Sequence, residues 1–372
     1  MEINVNTKKK KSGGILAGLL FLILGIVLLW FNEGRTVKTA GAIKEAEGTY
    51  IEVSSDKVDS SNEGKLIVTN GKLTYEPNEM VDDLLNVSVE SPEFKKYVED
   101  FEQTVDEMSR MISDVVLKNA PLDTDKIVED ALELLHPEGG DINVFDMLHN
   151  MRTYDDITFA HSLNVGLICN VFAGWLGMSE EQQRIATECG IFHDIGKLKI
   201  PDIIIKKPKR LTDTEFEVVK THPVEGYRIL QRYNVDDYVR SAALMHHERC
   251  DGSGYPMGLT GGQINMYAKM VAIADVYEAM TATRNYRGSL CPFVVIEAFE
   301  REGLQKYDTH MIMTFLENIV QTYMLNRVHL SNGKEGDIVF INKQQLSRPT
   351  VKCGDEFIDL AKEKDLIIER LV

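Results

Sequence analysis

The sequence predicts a mainly α protein with one N-terminal transmembrane helix and a small β-rich C-terminal tail. Three observations carry this. Residues 13–31 (GGILAGLLFLILGIVLLWF) hold no charge, and at 1.5 Å per residue about twenty apolar residues cross the hydrocarbon core. Apolar residues then recur at helical steps from about residue 81 to Val328. The last forty or so residues fall into short strand-like pieces.

The chain has 372 residues, 44% of them hydrophobic and 27% charged, enough for two or three units with a buried core. Disorder throughout and a fibrous protein are excluded. The net charge is −17, a field that repels phosphate backbones, so no nucleic-acid polymer is expected as partner. A phosphate-bearing substrate would need a local cation. The five cysteines, Cys169, Cys189, Cys250, Cys291 and Cys353, are scattered without a CxxC pair. This argues against disulfides and for a reducing compartment, with Cys169 and Cys189 as small core residues.

In chain order, residues 1–12 form a basic tail with lysines at 8–11, followed by the membrane helix 13–31, with Trp30 and Phe31 at the interface. A cleaved signal peptide with Ala40-Gly41-Ala42 as its site is the competing reading. The apolar run is longer than an h-region, and charges separate it from that site. No second span follows, because Met311 to Met324 is interrupted by Glu317, Asn318 and Gln321. Residues 32–80 are a polar juxtamembrane segment in which Lys65-Leu66-Ile67-Val68 and Asn70-Gly71 suggest a hairpin. Residues 81–140 form a helical lead-in. Phe94, Val98, Phe101, Val105, Met108, Ile112 and Val115 line one face of a helix for packing or homodimerisation. HPEGGD at 136–141 breaks the pattern. Residues 141–330 are helical and 331–372 are the β tail, with strands at Ile338–Ile341, Thr350–Cys353 and Leu366–Ile368.

Within the helical region, ionisable residues stand on faces that should be buried. Ile157, His161, Val165, Ile168, Phe172 and Trp175 share one face, which places His161 inside. His193 and Asp194 interrupt the apolar Gly190-Ile191-Phe192…Ile195. Thr212-Asp213-Thr214-Glu215 is a capping box opening a helix that ends at Thr221-His222-Pro223, with Pro223 in the first turn of the next. Val235, Val239, Ala242 and His246 continue a buried face beside His247, and Asp275 breaks Met270–Ala274. Burying a carboxylate costs several kcal/mol unless it is paired or metal-bound. Five histidines and two aspartates with no run of basic residues nearby to neutralise them are explained together by a metal cluster. Imidazole and carboxylate without thiolate suit iron, manganese or zinc, and seven ligands suit two ions sharing a carboxylate.

These residues resemble the HD-GYP domain, a branch of the HD phosphohydrolases, over about residues 141–330. The resemblance lies in HDIGK (193–197), LTDTE (211–215), THP (221–223), HHERCDGSGYP (246–256) and IADVYEA…RNYR (273–287). Members of that family are cyclic di-GMP phosphodiesterases with an all-helical core and a di-iron or tri-iron site. The resemblance therefore implies His161, His193, Asp194, His222, His246, His247 and Asp275 as metal ligands, with Asp194 bridging. It makes Lys197 the lysine facing the substrate phosphate, Arg284 and Arg287 a basic pair near phosphates and guanines, and Tyr255 a residue at the mouth of the site. A solvated surface pair is the other reading of the two arginines.

Three positions depart from the family pattern. Asn285 stands where a proline is usual, and Glu278 replaces a common aspartate, a change expected to be mild. Ile157 occupies the place of a third-metal glutamate, which favours two metals, iron or alternatively manganese. The implied reaction is attack of a bridging hydroxide on cyclic di-GMP with departure of the ribose 3′-oxygen, giving 5′-pGpG and, by a second cleavage, GMP. The alternatives are another cyclic dinucleotide, an HD-type di-iron oxygenase, and a silent nucleotide sensor or adaptor that binds a diguanylate cyclase. The phosphate clamp disfavours the oxygenase, and the complete ligand set disfavours the sensor.

Residues 13–73 resemble the start of the LUMA (transmembrane protein 43) family, through Phe31-Asn32-Glu33-Gly34-Arg35-Thr36-Val37-Lys38-Thr39-Ala40 and Asn62-Glu63-Gly64-Lys65-Leu66. The lysines at 8–11 would keep the N-terminus in the cytosol and leave the catalytic part outside. Cyclic di-GMP is cytosolic. The expectation is therefore a cytosolic catalytic part, with Arg35, Lys38 and Lys44 behind the span supporting the reversed insertion; a fusion of unrelated pieces is the alternative.

Overall fold

A computed structural model describes residues 51–52, 66–69, 72–75, 92–135, 145, 157–207, 209–282 and 290–372. The apolar run 13–31, the breaker at 136–141 and the pair Arg284 and Arg287 lie outside the described residues. No described helix is long and apolar enough to cross a membrane. The chain divides into two units, 1–84 and 85–372.

The first unit contains β1 (Ile51–Glu52), β2 (Leu66–Thr69) and β3 (Lys72–Tyr75), in the order β1-β2-β3. β2 and β3 pair antiparallel with Thr69 opposite Lys72, the predicted hairpin, and β1 joins β2 in parallel.

The second unit opens with α1 (Pro92–Lys118), whose apolar face is buried at Phe94, Phe101, Val105, Met108, Ile112 and Val115. This face is covered within the chain, so of the two expectations packing holds, and the stripe is not free for a homodimer. α2 (Thr124–Glu133) starts at Asp123, whose side chain accepts from the Lys126 amide. α3 (Ile157–Trp175) and α4 (Glu180–Phe192) then pack unusually closely. A Cβ on Gly190 would lie 2.6 Å from the Gly166 Cα, so only glycine permits this approach. The crossing brings the N-terminal half of α3, with His161, against the end of α4, with His193.

A 3₁₀ turn at Ile195–Lys199 leads to the short α5 (Asp202–Ile205). α6 (Asp213–Val219) begins with the predicted capping box, Thr212 and Glu215 each bonding the other's backbone. α7 (His222–Leu230) carries Pro223 in its first turn, and α8 (Asp237–Met245) and α9 (Met266–Thr281) complete the core. α10 (Pro292–Ala298), a π turn at Phe299–Gly303, α11 (Leu304–Lys306) and α12 (Thr309–Ile319) follow. All five cysteines are free, with Cys169 and Cys189 buried.

The C-terminal sheet corrects the expected strand count. Five strands, not three, run antiparallel in the order β7-β6-β5-β4-β8: β4 (Arg327–Leu330), β5 (Glu335–Phe340), β6 (Thr350–Cys353), β7 (Glu356–Asp359) and β8 (Ile368–Leu371). β4 begins where the helical pattern was expected to continue to Val328. Its four residues, with only Val328 and Leu330 buried, are too short for a period to register. The Glu300 carboxylate in the π turn accepts from the amides of Leu346 (2.6 Å) and Ser347 (3.4 Å), and Arg348 pairs with Glu297 at 2.9 Å. These bonds seat the sheet on the helices.

Candidate metal centre

Five helices deliver the predicted residues to one place. His161 comes from α3, His193 and Asp194 from the end of α4, His222 from the first position of α7, His246 and His247 from the end of α8, and Asp275 from α9. All are buried or nearly so, with His193, His222 and His246 at 0% exposure.

The side chains form two sets that share Asp194. One is Asp194, His222, His246 and His247; the other is His161, His193 and Asp194. The two carboxylate oxygens face different sets. Oδ1 lies 3.2 Å from His222 Nε2 and 3.6 Å from His246 Nε2. Oδ2 lies 3.3 Å from His193 Nε2 and 3.7 Å from His161 Nε2. Asp275 joins the second set, its Oδ1 3.1 Å from His161 Nε2 and 3.9 Å from His193 Nε2.

Hydrogen bonding assigns the tautomers. The Nδ1 of His193 donates to the Gly190 carbonyl (2.6 Å), that of His222 to Val219 (2.7 Å) and that of His246 to Ala243 (3.0 Å). With the proton on Nδ1, each Nε2 presents a bare lone pair inward. His222 and His246 face each other through Nε2 at 3.2 Å, the Nδ1 of each being already engaged with a carbonyl. His193 Nε2 and Asp194 Oδ1 are buried without a hydrogen-bond partner. Such orphaned donor atoms are costly in a protein interior and are what a cation would satisfy, so the residues fit divalent metals.

The electrostatics agree. Burial lowers the His246 pKa to about 4 and that of His247 well below its ordinary value, keeping both rings neutral. Burial also opposes charge on His161, but the carboxylates of Glu278 and Asp275 outweigh it and raise that imidazole to about 9. Asp194 is held well below the usual carboxylate range: burial works the other way, but His193 and Lys197 prevail. Lys197, 26% exposed, pairs its ammonium with Asp194 Oδ2 in the 3₁₀ turn instead of standing free for a phosphate.

The Gly254-Tyr255-Pro256 loop closes over this cluster. The Tyr255 ring stacks on His247 with centroids 4.6 Å apart, and its amide donates to the His247 carbonyl at 3.2 Å. A Cβ on Gly254 would come within 2.4 Å of the Arg249 amide nitrogen, so glycine is required there. Glu248, 2% exposed, anchors the loop by accepting from the amides of Met257 (2.7 Å) and Leu259 (2.8 Å). Sequence reasoning attached no role to Glu248, although a glutamate in the HHER block beside the buried face of α8 was a usable signal. Glu278 was expected to be a mild replacement. Its carboxylate is buried against His161 Nδ1 and accepts from Asn164 Nδ2 at 3.1 Å.

Hydrogen bonds to a charged acceptor contribute about 1.5–3 kcal/mol each. Glu248→Ala should therefore lower stability by a few kcal/mol and free the loop. Amide exchange at Met257 and Leu259 should accelerate while α3 stays protected. Unchanged exchange at both amides would count against the anchor.

An HD domain family profile matches residues 146–311. Over 222 residues the chain is 35% identical to a cyclic di-GMP phosphodiesterase of Pseudomonas aeruginosa, covering 59% of this chain and 52% of that protein. It is 36% identical over 170 residues to a 3′3′-cGAMP-specific phosphodiesterase of Vibrio cholerae, covering 45% and 39%. With a cyclic di-GMP phosphodiesterase of Thermotoga maritima it shares 39% over 180 residues, covering 47% and 48%. The chain thus spans about half the length of these relatives or less. The matched segment, residues 146–311, contains every residue of the two sets, so the cluster lies inside the part of the chain that is similar to the HD domain family.

Proposed function

We propose that the chain hydrolyses a cyclic dinucleotide, cyclic di-GMP in the first instance, to the linear 5′-pGpG. The observation that carries this reading is the single carboxylate of Asp194 standing between two sets of inward-facing imidazoles. Two divalent cations held there would supply Lewis-acid charge to a phosphodiester and lower the pKa of an attacking water. Iron is the proposed occupant and manganese the alternative, in keeping with ligands that are all imidazole and carboxylate.

The chain's own residues do the rest. Lys197 stands at the edge of the cluster with its ammonium on Asp194, within reach of a phosphate that would share it. Burial raises the Tyr255 phenol above its ordinary range, so it stays protonated and can donate a hydrogen bond, not accept a proton. Its ring, fixed flat on His247, limits how a base can lie at the mouth. Hydrolysis adds one water across one phosphodiester: the P–O3′ bond breaks and the phosphate stays on the 5′ side. Arg284 and Arg287 are proposed as the clamp for the second phosphate.

The test is chromatography of products from full-length protein, purified without oxygen in detergent and incubated with cyclic di-GMP. Linear pGpG is the expected product. Turnover of 3′3′-cGAMP without turnover of cyclic di-GMP would transfer the assignment to that substrate, a second reading favoured by the Vibrio cholerae relative. Bound metal without turnover of either substrate would overturn the hydrolase reading in favour of a sensor.

Residues 13–31 are proposed as a membrane tether with the HD domain in the cytosol. The uncharged run and the cations Arg35, Lys38 and Lys44 behind it support this. A reporter fused at Val372 should be active only inside the cell; activity confined to the outside would overturn the placement.

A further inference from the structure

His161 differs from its neighbours in what holds its outer nitrogen. The Nδ1 atoms of His193, His222 and His246 rest on neutral carbonyls of the preceding helical turn. That of His161 is turned away from its own helix toward α9, where it meets the carboxylate of Glu278. Asp275 and Glu278 are three residues apart on α9, about 4.5 Å along its axis, and they take opposite edges of one imidazole. Asp275 Oδ1 is 3.1 Å from Nε2, and Glu278 Oε2 is on Nδ1. Asn164, one turn after His161, donates to the other Glu278 oxygen at 3.1 Å, so α3 itself fixes the carboxylate that fixes its histidine. Glu278 is 5% exposed, so both hydrogen bonds are made away from water.

We propose that Glu278, braced by Asn164, is the positioning residue for His161, accepting the Nδ1–H hydrogen bond so that Nε2 is the atom aimed at the second metal set. The inference rests on the metal-centre reading above. A carboxylate behind a ligating imidazole makes the ring a stronger donor and fixes its plane, and losing such a partner typically costs 10–100-fold in metal affinity. The effect should be one-sided. The set of His161, His193, Asp194 and Asp275 should weaken, whereas that of His222, His246 and His247 has no contact with Glu278 among the described bonds.

The test is equilibrium titration of the full-length chain with Mn²⁺, reading stoichiometry and affinity directly. Wild type should show two classes of site, and His247→Ala identifies the class away from His161. Glu278→Ala should weaken the His161 class by about 10–100-fold and leave the other within about twofold. Glu278→Gln, which keeps an acceptor but removes the charge, should fall between and guards against a variant that does not fold. Unchanged affinity of both classes in either variant would overturn the proposal. So would equal weakening of both, which is what a merely structural role produces. A wild-type chain that binds no Mn²⁺ would instead remove the metal-centre reading, and this one with it.

Discussion

Asp194→Ala should empty both metal sets at once and lower turnover of cyclic di-GMP by at least about 10³-fold, equivalent to about 4 kcal/mol of barrier. Each imidazole set meets a different oxygen of this one side chain, at 3.2 Å for His222 and 3.3 Å for His193. No other residue of the cluster belongs to both sets. Its removal also strips the counter-charge from the partly exposed Lys197, whose ammonium it holds. Asp194→Asn separates the two effects. The amide keeps the volume but offers one oxygen, so it should retain at most one of the two ions. The measurement is metal per chain alongside pGpG formation. A variant of either kind with both ions and full turnover would sink the shared-carboxylate assignment.

Gly196→Ala should be the most destabilising single methyl group in the domain. A Cβ at this position would lie 2.0 Å from the His222 carbonyl oxygen and 2.5 Å from the Gly226 nitrogen, both backbone atoms that cannot rotate aside. The 3₁₀ turn and α7 would have to separate, taking His222 off Asp194. Overpacking of this kind costs about 1–3 kcal/mol, and a backbone clash belongs at or above the top of that range. The midpoint of urea unfolding should fall, and ions should be lost first from the set that contains His222. Gly226→Ala is the counterpart. Its Cβ would meet Gly196 N at 3.4 Å and Ala243 Cβ at 3.6 Å, ordinary contacts, inside a helix where alanine is favoured by about 0.5–1 kcal/mol. It should leave stability unchanged or raise it. A Gly196→Ala chain as stable as wild type would show that the turn and α7 are not packed as described.

The clustered residues were legible on several local grounds: His161 and His246 continue apolar helical faces, His193, Asp194 and Asp275 break apolar runs, and His222 and His247 sit at helix ends beside them, and a polar residue in such a place needs a compensating partner. His161 on the stripe of Ile168 and Phe172, and Asp275 at the end of Met270–Ala274, can be read without coordinates. The capping box at Thr212 and the first-turn proline of α7 were legible for the same reason, since local rules act over three or four residues. The contact of Glu278 with His161 was not, because it joins residues 117 positions apart and depends on how α9 rotates against α3. The Glu248 bonds to Met257 and Leu259 depend on a loop closing back on its own start. β4 and β7 escaped notice because each opens on a charged residue, Arg327 and Glu356, and holds a single β-branched residue in four, whereas β6 opens on Thr350-Val351.

The C-terminal sheet bears on where this chain can be cut. β4 lies between β5 and β8 in the ladder, so ending the chain at Leu330 would leave its backbone groups with no strand on either side. The same cut would strand the Glu300 carboxylate, which now holds two amides of the 346–347 turn. The segment just after Glu300 supports the root of the loop above His247: the Lys306 carbonyl accepts from Cys250 at 2.7 Å, and the Tyr307 ring carries Arg249 at 5.1 Å. The sheet is therefore a buttress of the helices that carry the cluster and not a passenger, and a fragment meant to keep the cluster intact should extend to the last strand.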